Sequence, residues 1–343
     1  MTATLIIGPA WVGDMVMAQS LFRLLRTQEP AMAIDVVGPP WSVPLVGRMP
    51  EVRRGIPLAV AHGKLAFTAR RTLGLALRAA AYDRAIVLPR SFKSALVPWF
   101  ARVPLRTGFA AELRGLLLND VRQLDRQILD QTIKRFLALG VPRNVPLPAA
   151  SDPVLRVDEA NRHALLARLG LGGRPAIALM PGAAYGPAKQ WPIDSFTALA
   201  RLLTADGLEV WVLGSAGEQP LGEQIRSRAG GHVFNLCGQT SLEDTVDLLS
   251  ATRAAVTNDS GLMHVAAAAG THVVAVYGSS SPHFTPPLTV RRTIHYLGLD
   301  CSPCFKRECP LGHLNCLRQI SPDSVQGAMA AVLPYNLPGT PVS

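Results

Sequence analysis

Short apolar runs alternate with helix-spaced stretches through both halves of the chain. TLIIG (4–8) ends in a glycine and leads through a turn into a helical segment from about Asp14 to Arg26. IDVVG (34–38), a helical stretch over 64–81, RAIVLP (84–89) and a helix opened by Ser91 continue the alternation. Pro and Ala gather at 142–153, which reads as a linker. The alternation then starts afresh with helix 158–169, AIALMPG (176–182), helix 194–205, EVWVLGS (209–215) and helix 219–229. VFNLCG (233–238), helix 241–251, AAVTND (254–259), helix 260–269 and HVVAVYG (272–278) complete it. Runs that are apolar at every position suit strands buried on both faces, so helices between them predict parallel sheets. The expected fold is α/β: two Rossmann-like, doubly wound domains, 1–150 and 151–335, facing across a cleft. Whether the stretch after Ser321 returns to pack on the first domain stays open.

The length agrees with this division, since 343 residues exceed what one core usually organises. Apolar residues at 48% and charged residues at 17%, with Gly and Pro spread throughout, exclude a disordered, collagenous or coiled-coil chain. No run approaches the roughly 18 uncharged apolar residues that span a bilayer. The start, MTATLIIGPAWVGD, lacks a basic leader and carries Asp14 where a signal peptide would stay apolar, so the expected location is cytoplasmic. Charge separates the halves: residues 1–150 carry a net +11 and residues 151–343 a net −1, giving the overall +10. A basic half suggests a polyanionic partner, the plain alternative being a solvated basic surface. Nucleic acid is disfavoured, because neither aromatic interleaving nor a helix-turn-helix or zinc-finger spacing accompanies the charge.

In parallel sheets ligands bind beyond the carboxyl ends of strands, where helix N-termini offer unpaired N–H groups and the positive end of a dipole. Three turns qualify. Gly8-Pro9-Ala10-Trp11-Val12-Gly13-Asp14 is no dinucleotide fingerprint; its carboxylate is either a helix cap or a general base. The segment from Pro181 to Pro192 is rich in small residues and holds Lys189, which suits a phosphate, an exposed surface lysine being the alternative. Val256-Thr257-Asn258-Asp259-Ser260-Gly261-Leu262-Met263-His264 ends a strand and opens a helix. Its Asp259 and Ser260 are caps or anion-site residues, and His264 a packed side chain or a ligand contact. Two phosphate-suited turns in one half fit a nucleoside diphosphate.

Together these segments resemble the ADP-heptose:lipopolysaccharide heptosyltransferases. GPAWVGDMVMAQSLFRLL, DVVGPPWSVPL, RMPEV, YDRAIVLPRSFKSALVPWFA, RTGF, PGAAYGPAKQWP, VTNDSGLMHVAAA and YGSSSPHFTPPL carry the likeness, in order, to about Leu288. The resemblance implies a GT-B fold and an inverting, metal-independent transfer of heptose. The donor would be ADP-L-glycero-β-D-manno-heptose, the acceptor the first inner-core heptose of nascent lipopolysaccharide on Kdo2-lipid A. It places Asp14 on the family's base, Lys189, Asp259, Ser260, Gly261 and His264 on its donor site, and Glu218 near its ribose contact. The polyanionic acceptor at the inner face of the inner membrane then accounts for the basic half, with Arg53, Arg54, Lys64, Arg70, Arg71, Arg90, Lys93 and Arg106 as candidates to grip it. A sugar-nucleotide transferase with another acceptor, a GT-B-type epimerase, and a non-catalytic nucleotide-dependent module that binds anions remain the competing readings.

One cluster stands outside this chemistry. Cys301, Cys304, Cys309 and Cys316 are spaced C-x2-C-x4-C-x6-C. In a reducing compartment such density points to a structural zinc site or to free thiols in a compact loop. Catalysis itself requires no cofactor on this reading.

Overall fold

A computed structural model describes residues 2–61 and 63–330. The chain divides between Arg156 and Val157 into two compact units. In the first, strands β1 (Ala3–Ile7), β2 (Ala33–Gly38), β3 (Val52–Pro57), β4 (Arg84–Val87), β5 (Leu105–Phe109) and β6 (Asp120–Arg122) form one parallel sheet ordered β3-β2-β1-β4-β5-β6. Helices α1 (Val12–Gln28), α2 (Ser42–Gly47), α3 (Phe67–Ala76), α4 (Leu96–Phe100) and α5 (Thr132–Ala138) connect or follow these strands. All residues of β1 and β2 are buried, which explains their unbroken apolar runs; the edge strands β3 and β6 are half-exposed. VRRGIP and DVR consequently escape a reading based on apolar runs.

The second unit repeats the plan. Its helix α6 (Glu159–Leu169) precedes β7 (Ala176–Met180), α7 (Ile193–Ala205), β8 (Glu209–Val212), α8 (Gln219–Ala229), β9 (Val233–Asn235), α9 (Leu242–Ser250), β10 (Ala254–Asn258), α10 (Gly261–Ala268), β11 (His272–Val276) and β12 (Arg292–His295). The sheet is parallel and ordered β12-β11-β10-β7-β8-β9. Two short helices follow, α11 (Asn315–Arg318) and α12 (Pro322–Ala330). Val325 and Met329 of α12 lie in the core with Phe196 and Leu203 of α7, so this helix is built into the second unit. Residues 331–335, at the end of the expected second domain, lie outside the described residues.

Each sheet reverses its winding once, between β1 and β4 in the first unit and between β7 and β10 in the second. The crevice at such a reversal is where doubly wound sheets hold ligands. The unit boundary falls later than residue 150, because the intervening segment is tied to the first unit. Ser20 Oγ donates to Ser151 O at 2.7 Å, and Gln19 exchanges two hydrogen bonds with the Val154 backbone at 2.7 and 3.0 Å. Arg156 N donates to Arg48 O at 2.8 Å.

Candidate active site

In the first unit, Asp14 is the third residue of α1, half-buried, at the carboxyl end of β1 and on one side of the reversal. Arg90 and Lys93 lie just past β4, on its other side, and Lys64 lies on the connection leaving β3. Arg114, which the sequence reading passed over, is fully buried and donates through its guanidinium to the Val87 and Pro89 carbonyls. It thereby fixes the backbone that presents Arg90. Burial, reinforced by the charge of Arg90, pushes the Arg114 guanidinium down to about 10.

Arg53 and Arg54, expected to grip the acceptor, are engaged elsewhere. Arg53 bonds both oxygens of the fully buried Asp35 at 2.8 and 2.7 Å, Arg54 adds a bond at 2.8 Å, and the Tyr82 hydroxyl one at 2.5 Å. Burial alone would raise the Asp35 pKa, yet the bonds from Arg53, Tyr82 and Arg54 outweigh it and hold the carboxyl below its usual range. These arginines begin β3 at the amino ends of the sheet and neutralise a core carboxylate. Arg70 and Arg106 are likewise occupied: buried Arg70 donates to Leu65 O, and Arg106 to Leu117 O and Val103 O.

In the second unit the expected donor residues converge. Asn258, at the end of β10 and fully buried, accepts from Trp191 N at 2.9 Å and donates to Pro181 O at 2.7 Å and Gly182 O at 3.3 Å. One side chain thus staples the turn after β7 to the end of β10. On that staple Lys189 Nζ stands 2.5 Å from Asp259 Oδ2, the two side chains being 18% and 5% exposed. Ser260 is the N-cap of α10 and Gly261 its first residue, so their N–H groups lie at an end where no intrahelical acceptor exists. Glu218 follows β8 and accepts from Ser215 N and Oγ at 2.6 and 2.8 Å. A Cβ on Gly182 would fall 1.4 Å from Glu218 Oε1, so the carboxylate lies directly against the turn after β7 and a side chain at 182 would displace it. His264 is 4% exposed, its Nδ1 lacks a partner, and burial pushes it down to about 4, so it is neutral at physiological pH. A lysine, helix-terminal amides, two carboxylates and a neutral imidazole therefore meet at the carboxyl ends of β7, β8 and β10. That set can hold a polyanion at one end and hydrogen-bonding hydroxyls at the other.

Trp191 packs into the core: its ring is edge-on to Phe196 with centroids 4.9 Å apart, and its Nε1 donates to Ile320 O at 3.0 Å. The four cysteines of the 301–316 loop form no disulfide, and among the described residues no group of three or more His, Cys, Asp or Glu is placed to hold a metal ion. Cys309 faces the backbone N–H groups of Leu314, Leu311, Gly312 and His313, which lower its thiol pKa, while Cys316 is buried in the core beside Leu317. Among the described residues no helix is long and apolar enough to cross a membrane.

The sequence and the fold agree with known proteins. The family model of glycosyltransferase family 9 (heptosyltransferase) matches residues 70–315. Lipopolysaccharide heptosyltransferase 2 of Salmonella typhimurium is 43% identical, over 96% of this chain and 98% of its own length. Its Escherichia coli counterpart is 42% identical over the same shares. The solved structure of the E. coli ADP-heptose lps heptosyltransferase II superposes with a TM-score of 0.86 at 40% identity, covering 97% of this chain and 98% of that one. With the matched region running from α3 through the donor turns to the cysteine loop, the chain belongs to glycosyltransferase family 9, the heptosyltransferases, and is a glycosyltransferase.

Proposed function

We propose that this enzyme transfers L-glycero-D-manno-heptose from ADP-heptose, with inversion, to the first inner-core heptose of a Kdo2-lipid A acceptor. Membership of the family, with relatives named lipopolysaccharide heptosyltransferase 2 at 42% and 43% identity over nearly the whole chain, supports the substrates. The observation that carries the donor assignment is the meeting of Lys189, Asp259 and the α10 N-terminus at the reversal between β7 and β10.

The acceptor hydroxyl attacks the anomeric carbon from the face opposite ADP, the glycosidic bond to the diphosphate breaks, and Asp14 takes the hydroxyl proton. A positioned base contributes about 10²–10⁴-fold. Negative charge grows on the departing diphosphate. Lys189 and the N–H groups of Ser260 and Gly261 stabilise it with donors fixed in advance by the fold. Because these groups supply the positive charge, transfer should persist in EDTA. Glu218 faces the ribose hydroxyls, and Asp259, released from Lys189 as the phosphates engage it, faces the electron-poor sugar carbon. Lys64, Arg90 and Lys93 meet the carboxylates and phosphates of the acceptor. Leu113 and Leu116, 83% and 81% exposed on the connection after β5, adjoin that basic region through the bond from Phe92 N to Glu112. They suit peripheral contact with the membrane bearing the acceptor.

Turnover with acceptors carrying zero, one and two inner-core heptoses tests this reading. Activity confined to the one-heptose acceptor is expected; efficient transfer to the heptose-free acceptor would overturn the acceptor assignment. Asp14→Asn should lower kcat by at least about 10²-fold while leaving ADP-heptose binding intact. Near-normal turnover would remove Asp14 as the base.

A further inference from the structure

The four-cysteine loop reaches the donor turn. Tyr185 OH donates to Phe305 O at 2.8 Å, Arg307 Nε donates to Tyr185 O at 2.8 Å, and Ala188 N donates to Arg307 O at 3.0 Å. The backbone of residue 307 comes so close that a Cβ on Gly186, whose φ is +155°, would fall 2.5 Å from Arg307 O. The loop is fastened on its other side to the segment after β11: Phe305 N donates to Ser279 O at 2.7 Å and Ser302 Oγ to Gly278 O at 2.5 Å. Residues 305–307 therefore form a strap between the end of β11 and the turn that carries Lys189.

The side chain of Arg307 adds charge to this strap. Its guanidinium carbon lies 5.5 Å from the centre of the Tyr185 ring, and Lys189 Nζ lies 5.1 Å from the same centre. Two cations thus share one aromatic ring, and one of them also holds the Tyr185 carbonyl. A cation bound to a ring and a carbonyl at once has little freedom, so the ring becomes a fixed support for Lys189. Arg307 is exposed, and its position beside Lys189 adds to the positive potential on the donor turn.

We propose that Arg307, carried on the four-cysteine loop, is a positioning residue of the donor site: it holds Tyr185, and through it the Lys189 turn, in the conformation that receives the diphosphate of the sugar nucleotide. This rests on the donor-site reading above. It gives the cysteine loop a part in the reaction that the transfer chemistry does not assign to it.

Calorimetric titration of the full chain with ADP and with adenosine, together with steady-state kinetics in ADP-heptose, tests the idea. Wild type and Lys189→Met come first: if the wild-type chain binds no ADP, or Lys189→Met binds it normally, the donor-site reading itself is wrong. With that reading intact, Arg307→Ala should weaken ADP binding roughly five- to tenfold and raise the KM for ADP-heptose by the same factor. Adenosine affinity should stay the same and kcat within about twofold. Arg307→Lys, which keeps the cation over the ring but lacks the planar fork, should recover part of the loss. Tyr185→Phe, which breaks only the bond to Phe305 O, should weaken ADP to a smaller extent. Unchanged ADP affinity in Arg307→Ala, or equal loss of ADP and adenosine, would overturn the proposal.

Discussion

Replacing Lys189 with methionine separates two jobs of that lysine. In the free protein its ammonium neutralises Asp259, a carboxylate 5% exposed, at 2.5 Å. Removing one partner of a buried pair costs about 3–5 kcal/mol when both are fully buried. Lys189 is itself 18% exposed, and Asp259 keeps the nearby Thr285 hydroxyl at 3.4 Å, so a loss of about 2–3 kcal/mol is expected. The midpoint of the second unit's thermal transition should fall by about 5–10 °C. The second job concerns the ligand: a charge-assisted bond to phosphate is worth about 1.5–3 kcal/mol, so ADP binding should weaken at least about tenfold. The double variant Lys189→Met/Asp259→Asn removes the orphaned charge as well. Scanning calorimetry should show it recovering most of the lost stability, while titration shows ADP affinity still depressed. If the double variant regains both, Lys189 merely shields Asp259 and the phosphate assignment fails.

Further consequences follow from the titrating groups and the surface. His264 falls from 6.5 to about 4 through burial, so on acidification the unfolded chain takes its proton first. The associated stability, about 3 kcal/mol, is complete above pH 6.5 and drains away toward pH 4. Urea unfolding across that window should show a flatter pH dependence for His264→Gln than for wild type, and parallel curves would refute the buried neutral state. Burial, aided by the Glu218 charge, pushes the Cys237 thiol up to about 12, whereas backbone N–H groups lower that of Cys309. Mass spectrometry after brief alkylation at pH 8 should find Cys309 modified and Cys237 intact, with comparable labelling contradicting both assignments. Leu113→Ser/Leu116→Ser should reduce co-sedimentation with anionic vesicles several-fold while leaving transfer to a soluble, delipidated acceptor unchanged. Equal vesicle binding would place membrane contact elsewhere.

The recurrence of TLII-like and AVTN-like runs between helical stretches was enough to establish two parallel, doubly wound sheets, because β1, β2, β7, β10 and β11 are buried along their whole length. The same logic missed β3, β6 and β12, whose positions at sheet edges tolerate VRRGIP, DVR and RTIH, and the internal β5, whose LRTGF opens on an exposed Leu and a half-buried Arg rather than an apolar run. Turns rich in Gly and small residues marked the donor site, since a helix N-terminus after a strand is a local feature written in neighbouring residues. The fate of a charge is not local. Arg53 and Arg54 read as free surface cations until Asp35, on the neighbouring strand, took both; Arg114 looked like its exposed neighbours until burial gave it the carbonyls of Val87 and Pro89. The staple by Asn258 and the strap by Arg307 likewise join segments far apart in the chain. Periodicity along a chain fixes which elements form and which faces they bury, but hydrogen bonds and ion pairs between distant segments depend on how those elements come together, and only the folded chain brings them within reach.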